Sequence, residues 1–245
     1  MGANRYLPER GNSESERRRD ICTAGRRFYD LGFVPSTDGN ISVRLPSGHI
    51  LVTPAGHCKG RLSPEDLVLT DMHGRKVDGC GEPSTELGMH LLIYRCREDV
   101  NAVCHAHPPF ATGFAAAGIA LDKPLLAEMV VTLGKVPLAP YALPGSAELG
   151  ALLEPFVREH NAILMANHGV VTLGTDLVSA FRRMESVEHF ARVTLVTELL
   201  GKQCLLSGRD VEKLLAAYGG GLAAPRAPDR QAPGAEDDEW VKHSA

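Results

Sequence analysis

Apolar residues recur at two spacings along the chain, and these spacings predict helices interleaved with short strands. Ile21, Ala24 and Phe28 follow the helical period, so they predict a first helix that ends at Gly32. Further helices are predicted over 86–96, 110–117, 147–160, 176–200 and 210–218. Strands are predicted over 41–45, 50–52, 67–70 and 102–105, a strand pair over 162–173, and short strands and loops over 121–143. This irregular alternation predicts an α/β fold, a three-layer α/β/α sandwich around a central, mainly antiparallel sheet.

Both ends of the chain differ in composition from its middle. Residues 1–12 are polar, which predicts a flexible N-terminal arm. From residue 220 to residue 245 the chain is rich in Gly, Ala, Pro and charge, which predicts a disordered tail. One domain is therefore expected over 13–219, a length that can bury a substantial core.

Composition excludes several classes of partner. The net charge of −4 and the pI of about 6.2 favour neither nucleic acid nor an anionic membrane surface. No apolar run reaches the roughly 18 residues of a membrane-spanning helix, and the N-terminus has no signal-peptide pattern. The six cysteines form no C-x-x-C pair, so free thiols in a reducing cytoplasm are expected.

Three histidines suggest a metal site. His105 and His107 follow a buried apolar run two residues apart, so both side chains are expected on one face of the sheet. His168 follows a second apolar strand and can supply a third nitrogen. Three imidazoles with an open fourth position are typical of catalytic zinc, although Mn²⁺ or Co²⁺ would also fit. Taken alone, the H-x-H pair is also compatible with ordinary histidines at a strand end.

Three short clusters could carry further chemistry, and each also has a plain structural explanation. Gly39-Asn40 and Gly56 could form a backbone nest for a phosphate, or could simply be turns. Ser84-Thr85 could bind a phosphate at a helix start, or could only cap the helix. Glu86 could transfer protons next to the metal, or could only complement the helix dipole.

The motifs TDGNISVR, LVTPAG, EPSTELGMH, NAVCHAHPP, APYALPG and ANHGVV, in this order, resemble the class II aldolase/adducin family. The resemblance covers roughly 15–219 and is greatest to the zinc-dependent L-fuculose-1-phosphate aldolases. It implies the α/β/α sandwich and a homotetramer with active sites between subunits. It also implies a phosphorylated sugar as substrate.

The resemblance also implies roles for individual residues. His105, His107 and His168 would be the metal ligands, and Glu86 the catalytic acid and base. The positions that hold the substrate phosphate would be Gly39, Asn40, Gly56, Ser84 and Thr85. Tyr218 would close over the site from the C-terminal end.

Two positions depart from the fuculose-phosphate pattern. Ala55 stands where the phosphate loop has a hydroxyl, which removes one hydrogen-bond donor. Leu126 or Ala127 stands where a tyrosine of the neighbouring subunit assists at the aldehyde oxygen. These departures leave the aldehyde undefined and favour a shorter or less polar one, such as that of a deoxy sugar.

Three functions are compatible with this pattern. The first is a metal-dependent aldehyde-lyase that reversibly cleaves a ketose 1-phosphate to dihydroxyacetone phosphate and an aldehyde. The second is an epimerase, dehydratase or decarboxylase on the same scaffold, since the metal and phosphate residues do not separate these reactions. The third is a non-catalytic interaction module like the adducin head, against which the presence of all three histidines and Glu86 argues.

Overall fold

The computed structural model describes residues 13–218, so the expected arm and the expected tail both lie outside the described residues. Seven α-helices form within this range. They are α1 (Glu14–Asp30), α2 (Leu87–Cys96), α3 (Pro109–Ala116), α4 (Ala127–Thr132), α5 (Ala147–Val157), α6 (Leu177–Leu199) and α7 (Gly208–Tyr218). Capping follows the sequence: Ser13 and Glu16 form a capping box at α1, and Asp176 caps α6. None of the described helices has the length and hydropathy required to cross a membrane.

A single sheet forms the middle layer of the described chain. Its strands are β1 (Asn40–Arg44), β2 (Ile50–Val52), β3 (Val68–Thr70), β4 (Lys76–Asp78), β5 (Ala102–Ala106), β6 (Leu138–Ala139), β7 (Ala162–Met165) and β8 (Gly169–Gly174). Their order is β4-β3-β2-β1-β5-β8-β7-β6, and every pair is antiparallel except β6–β7. The predicted α/β/α sandwich with a mainly antiparallel sheet is confirmed.

The two faces of the sheet pack against different helices. On one face, Phe28 of α1 and Phe181 of α6 stack at 4.5 Å between ring centroids, within a core that also includes Cys104. On the other face, α2 and α5 cover side chains such as Val103 and Ile163. Because strand residues alternate between faces, Cys104 points away from the face that carries its neighbour His105.

One α-helix and one strand were not predicted from the pattern. The stretch 121–143, expected as strands and loops, contains α4 as well as β6. The edge strand β4 was missed because all three of its residues are exposed, so no apolar alternation marks it. It is held by pairing with β3, across a register irregularity between Leu69 and Thr70.

Candidate active site

The three histidines meet at one end of three adjacent strands, β5, β8 and β7. β5 and β7 both pair antiparallel with β8, so they run in the same direction and their carboxyl ends lie next to each other. His105 is the next-to-last residue of β5, His107 follows that strand, and His168 lies in the turn between β7 and β8. Their ring centroids are 4.7–5.2 Å apart. One nitrogen of each ring lies within 4.8 Å of the others, an arrangement that could hold a metal ion.

The outer contacts of two rings determine which nitrogens face inward. His105 donates from Nδ1 to the carbonyl of Val170 at 2.9 Å. His107 donates from Nδ1 to a carboxylate oxygen of Asp38 at 3.1 Å. In the neutral rings the proton is then on Nδ1, and the two Nε2 lone pairs face each other at 3.1 Å. Two facing lone pairs repel unless a cation lies beside both, and such outer contacts are typical of metal-binding histidines.

Gly169 gives the histidines room to approach. A Cβ at this position would lie 2.5 Å from Cδ2 of His107 and 2.7 Å from the carbonyl oxygen of Ala106. Its backbone does not have a positive φ; the left-handed residue of this turn is Asn167, with φ of 56°. The glycine is therefore required for close packing on the rings, and not for the turn itself.

Glu86 lies against the cluster at the N-terminus of α2. Its Oε2 is 3.2 Å from Nε2 of His105, and its Oε1 is 3.3 Å from Nε2 of His168. The side-chain amide of Asn40 donates to Oε2 at 2.8 Å. Glu86 is buried, and Oε1 and the Nδ1 atom of His168 have no hydrogen-bond partner among the described residues. A buried carboxylate and three imidazoles thus converge on one point, a donor set that suits a divalent metal.

A buried chain of polar side chains continues from Asn40 into the layer beneath α2. His90 contacts the Oδ1 atom of Asn40 through Nε2, and Ser42 through Nδ1 at 2.7 Å. Ser42 in turn contacts the Tyr94 hydroxyl at 2.7 Å. Since the Asn40 amide donates to Glu86, its oxygen must accept from His90, and each further bond is then oriented toward the carboxylate. The chain fixes which way the Asn40 amide faces.

Burial and neighbouring charge set the protonation of these groups. Burial lowers the pKa of His90 to about 3, so the ring is neutral, as the chain requires. Burial, followed by the charge of His105, lowers the pKa of His168 to about 4. Burial would raise the pKa of Glu86, but the adjacent His105 and His168 and the Asn40 amide together hold it well below its usual range. Glu86 is therefore a carboxylate at neutral pH.

Backbone contacts hold the three loops of the expected phosphate site close together. Gly39 directly precedes β1 and has φ of 69°, and a Cβ there would lie 2.7 Å from the carbonyl oxygen of His105. The loop that ends in Gly56 is tied to the next one, since Ser84 donates its N–H to the carbonyl of Thr53 at 3.2 Å. Ser84 is buried and its hydroxyl accepts from the N–H of Glu86, whereas Thr85 is exposed.

Other expected positions lie away from the histidines. Tyr218 is the last residue of α7 and is 64% exposed. No hydrogen bond joins it to the cluster within the described part of this chain. Leu126 and Ala127 form the start of α4, against which α7 packs.

Two residues at the site, and a buried lysine bonded to neighbouring loops, were not identified from the sequence. Asp38 precedes Gly39 and orients His107, and a carboxylate next to the glycine turn was the available signal. His90 follows Glu86 by one helical turn, so the two share a face of α2. Lys59 is only 2% exposed, and a lysine among glycines after Gly56 was its only signal.

Comparison with known proteins agrees with this architecture. Residues 19–195 match the Class II Aldolase and Adducin N-terminal domain. The 3-oxo-tetronate 4-phosphate decarboxylase of Pectobacterium atrosepticum is 34% identical, over 76% of this chain and 86% of that protein. The 5-deoxy-D-ribulose 1-phosphate aldolase of Bacillus thuringiensis serovar kurstaki is 31% identical, over 83% and 95%. A solved L-fuculose 1-phosphate aldolase superposes with a TM-score of 0.77 at 28% identity, over 82% of this chain and 95% of its own.

The fold and the histidine cluster define an α/β/α protein with a candidate metal centre at the ends of its central strands. The chain belongs to the class II aldolase/adducin family, as its motifs led us to expect. Its relatives include aldolases and decarboxylases of phosphorylated sugars and sugar acids, so membership leaves the reaction itself open.

Proposed function

We propose that the chain is a metal-dependent aldehyde-lyase that cleaves a ketose 1-phosphate to dihydroxyacetone phosphate and an aldehyde. The observation that carries this proposal is the position of the Glu86 carboxylate, 3.2–3.3 Å from the Nε2 atoms of His105 and His168. A carboxylate next to a candidate metal centre can transfer a proton to a carbon that gains negative charge there. The resemblance to a 5-deoxy-D-ribulose 1-phosphate aldolase supports the same class of substrate.

Cleavage breaks the bond between C3 and C4 of the ketose. The C4 hydroxyl loses its proton and becomes the aldehyde, and the bonding electrons remain on the three-carbon fragment as an enediolate. A divalent metal, in our proposal zinc, held by His105, His107 and His168 would supply a Lewis acid where this charge develops. The Glu86 carboxylate accepts the proton that the C4 hydroxyl releases and delivers it to C3, and in the synthetic direction it removes that proton from C3. Asn40 holds the carboxylate in place for this transfer.

The substrate phosphate would lie across the three loops that Gly39, Gly56 and Ser84 bring together. Backbone N–H groups at such turns favour an anion, and Thr85 and the Asn40 amide can add donors. Binding the unreactive end of the substrate in this way orients the reacting carbons. Ala55 contributes no hydroxyl to this site.

Decarboxylation is the second candidate, and the similarity to a 3-oxo-tetronate 4-phosphate decarboxylase favours it. Loss of CO₂ from such a 3-oxo acid leaves the same three-carbon enediolate, which one proton converts to dihydroxyacetone phosphate. The two reactions therefore differ in the leaving group and can share Glu86 as the proton donor. What decides between them is the group that contacts the leaving half, where Leu126 or Ala127 replaces the expected tyrosine.

We further propose a homotetramer with active sites between subunits, in which Tyr218 closes over the site. Exposed apolar side chains near the ends of α6 and α7, among them Leu199, Leu200 and Tyr218, support such contacts. The six free cysteines favour a cytoplasmic location.

The proposal is tested with a panel of substrates and two readouts. L-fuculose 1-phosphate, 5-deoxy-D-ribulose 1-phosphate and 3-oxo-tetronate 4-phosphate are incubated with the purified protein, after chelation and after zinc is restored. Release of dihydroxyacetone phosphate and release of CO₂ are measured in parallel. We expect zinc-dependent release of dihydroxyacetone phosphate from the deoxypentulose phosphate, without CO₂.

Other outcomes separate the alternatives. Release of CO₂ together with dihydroxyacetone phosphate would replace the aldolase by the decarboxylase. Faster cleavage of L-fuculose 1-phosphate than of the deoxypentulose phosphate would contradict the preference for a short aldehyde. Bound metal without turnover of any of the three compounds would favour an epimerase or dehydratase, and a protein that binds no metal would be non-catalytic.

A further inference from the structure

Lys59 is a buried cation bonded to the backbone beside two of the candidate phosphate loops. It lies in a short 3-10 helix, Lys59–Arg61, that follows the loop ending in Gly56. Only 2% of the residue is exposed. Its Nζ donates to the carbonyl of Thr37 at 2.7 Å and to the carbonyl of His57 at 2.6 Å. Thr37 precedes Gly39 by two residues and His57 directly follows Gly56, so the ammonium lies between both loops.

The charge of Lys59 has no direct counterion in the described chain. Its recorded contacts are with the two carbonyls, and no carboxylate forms a salt bridge with it. The carboxylates whose charge acts on Lys59 are those of Asp38 and Glu86, and these are bonded to His107 and to Asn40. An ammonium has three donors, and two of them are used here. Burial of an unpaired charge is unfavourable unless an anion compensates it.

The protonation of the Lys59 amine also depends on its surroundings. Burial lowers the pKa of Lys59 to about 8, against the opposing effects of Cys58, Asp38 and Glu86. The amine is therefore mostly protonated at neutral pH and loses its charge just above it. A bound dianion would stabilise the protonated form.

We propose that Lys59 is the cationic member of the substrate phosphate site, supplying the charge and the donor that Ala55 does not. This inference rests on the proposed function only in assuming that the glycine loops bind a phosphate. It assigns to the site a preference for dianionic substrates over their unphosphorylated counterparts. The alternative is that Lys59 only ties the two loops together through the carbonyls of Thr37 and His57.

The test measures binding of glycerol 1-phosphate to the zinc-loaded full-length protein by calorimetry, and so does not depend on turnover. We expect Lys59→Met to weaken binding by about thirtyfold or more, the range for loss of one partner of a buried charged pair. Lys59→Arg keeps the charge and should bind within a few-fold of the unaltered protein. Lys202→Met, which removes an exposed lysine, is the matched control and should bind normally. Zinc content is measured for each variant.

A pH series on the unaltered protein keeps the test decisive if Lys59→Met does not fold. A phosphate monoester has its second pKa near about 6, so it remains a dianion from about pH 7 to about pH 9.5. Affinity should fall above about pH 8, approaching tenfold per pH unit, as Lys59 loses its proton. The groups that face Lys59 are Cys58, His57, Asp38 and Glu86, with Tyr29 of α1 against the adjacent Gly60. All of them remain in Lys59→Arg, whose affinity should stay constant over this range.

Three results would overturn the inference. One is normal glycerol 1-phosphate binding by a folded, zinc-loaded Lys59→Met. Another is an affinity of the unaltered protein that does not change up to about pH 9.5, or one that falls equally in Lys59→Arg. The third is loss of zinc together with phosphate binding in Lys59→Met, which would assign Lys59 the role of a loop tie. None of these results depends on which sugar phosphate the enzyme cleaves.

Discussion

Replacing Gly39 by alanine tests whether the candidate site depends on a close backbone contact. A Cβ at Gly39 would lie 2.5 Å from Cγ1 of Val34 and 2.7 Å from the carbonyl oxygen of His105. Gly39 also has φ of 69°, a conformation that L-residues adopt at a cost. Gly48, in the turn between β1 and β2, has φ of 84° and no atom within 4 Å of its hypothetical Cβ. Gly48→Ala therefore carries the backbone cost without the contacts.

The two variants allow the terms to be separated. The left-handed backbone costs an alanine about 1–2 kcal/mol, and this applies at both positions. Overpacking adds about 1–3 kcal/mol at Gly39 alone. We therefore expect Gly48→Ala to lower the free energy of unfolding by about 1–2 kcal/mol and Gly39→Ala by about 2–5 kcal/mol. The difference reports the contacts with Val34 and His105.

Urea unfolding of the zinc-loaded variants, at one fixed zinc concentration, measures this difference in the free energy of unfolding. Zinc content should fall in Gly39→Ala, because relief of the contact displaces the backbone of His105, and should be unchanged in Gly48→Ala. Equal destabilisation of the two variants would refute the argument, since it would mean that the loop moves away from β5 without cost. Normal zinc content in a strongly destabilised Gly39→Ala would show that the contact contributes to stability but not to metal binding.

Three further substitutions address the site itself. Glu86→Gln should reduce kcat by about 10²–10⁴ while zinc remains bound, because an amide cannot transfer the proton; near-normal kcat would exclude Glu86 as the acid. His168→Ala should lower the zinc content measured by atomic emission, whereas His73→Ala, which removes an exposed histidine, should not. His90→Leu removes the donor to Asn40 and should destabilise the protein by about 1–3 kcal/mol in urea unfolding. The same substitution should lower kcat by a larger factor than it changes KM. An unchanged kcat would mean that the buried chain of polar side chains is purely structural.

The fold was predictable where one face of an element is buried. α1 and α6 have apolar residues at helical spacing and strong caps, so their bounds follow from local sequence. α4 has only six residues, AEMVVT, and its β-branched residues favour a strand on local grounds. Its helical state is decided by packing against α6 and α7, which no local pattern encodes.

The candidate site was predictable where a strand end or a helix start fixes the position of a side chain. His105 and His107 were found because two-residue spacing on a strand fixes their side, and Glu86 because it begins a helix next to polar residues. The orienting contacts of these groups join residues far apart in the chain. Asp38 and His107 are 69 positions apart, and Asn40 and His90 are 50 apart. Sheet register and the packing of α2 on the sheet bring such pairs together, so local sequence could not reveal them.

The segment from 33 to 39 connects α1 to β1 and also touches the histidine cluster. His107 donates its backbone N–H to the carbonyl of Phe33 at 2.8 Å, and Asp38 bonds its ring. Anything that stabilises His107 in the folded state also stabilises this segment, by linkage. Metal loading should therefore slow amide hydrogen exchange there, and a shortage of metal should open it first to proteases. The lifetime of the protein in a cell would then depend on its supply of metal.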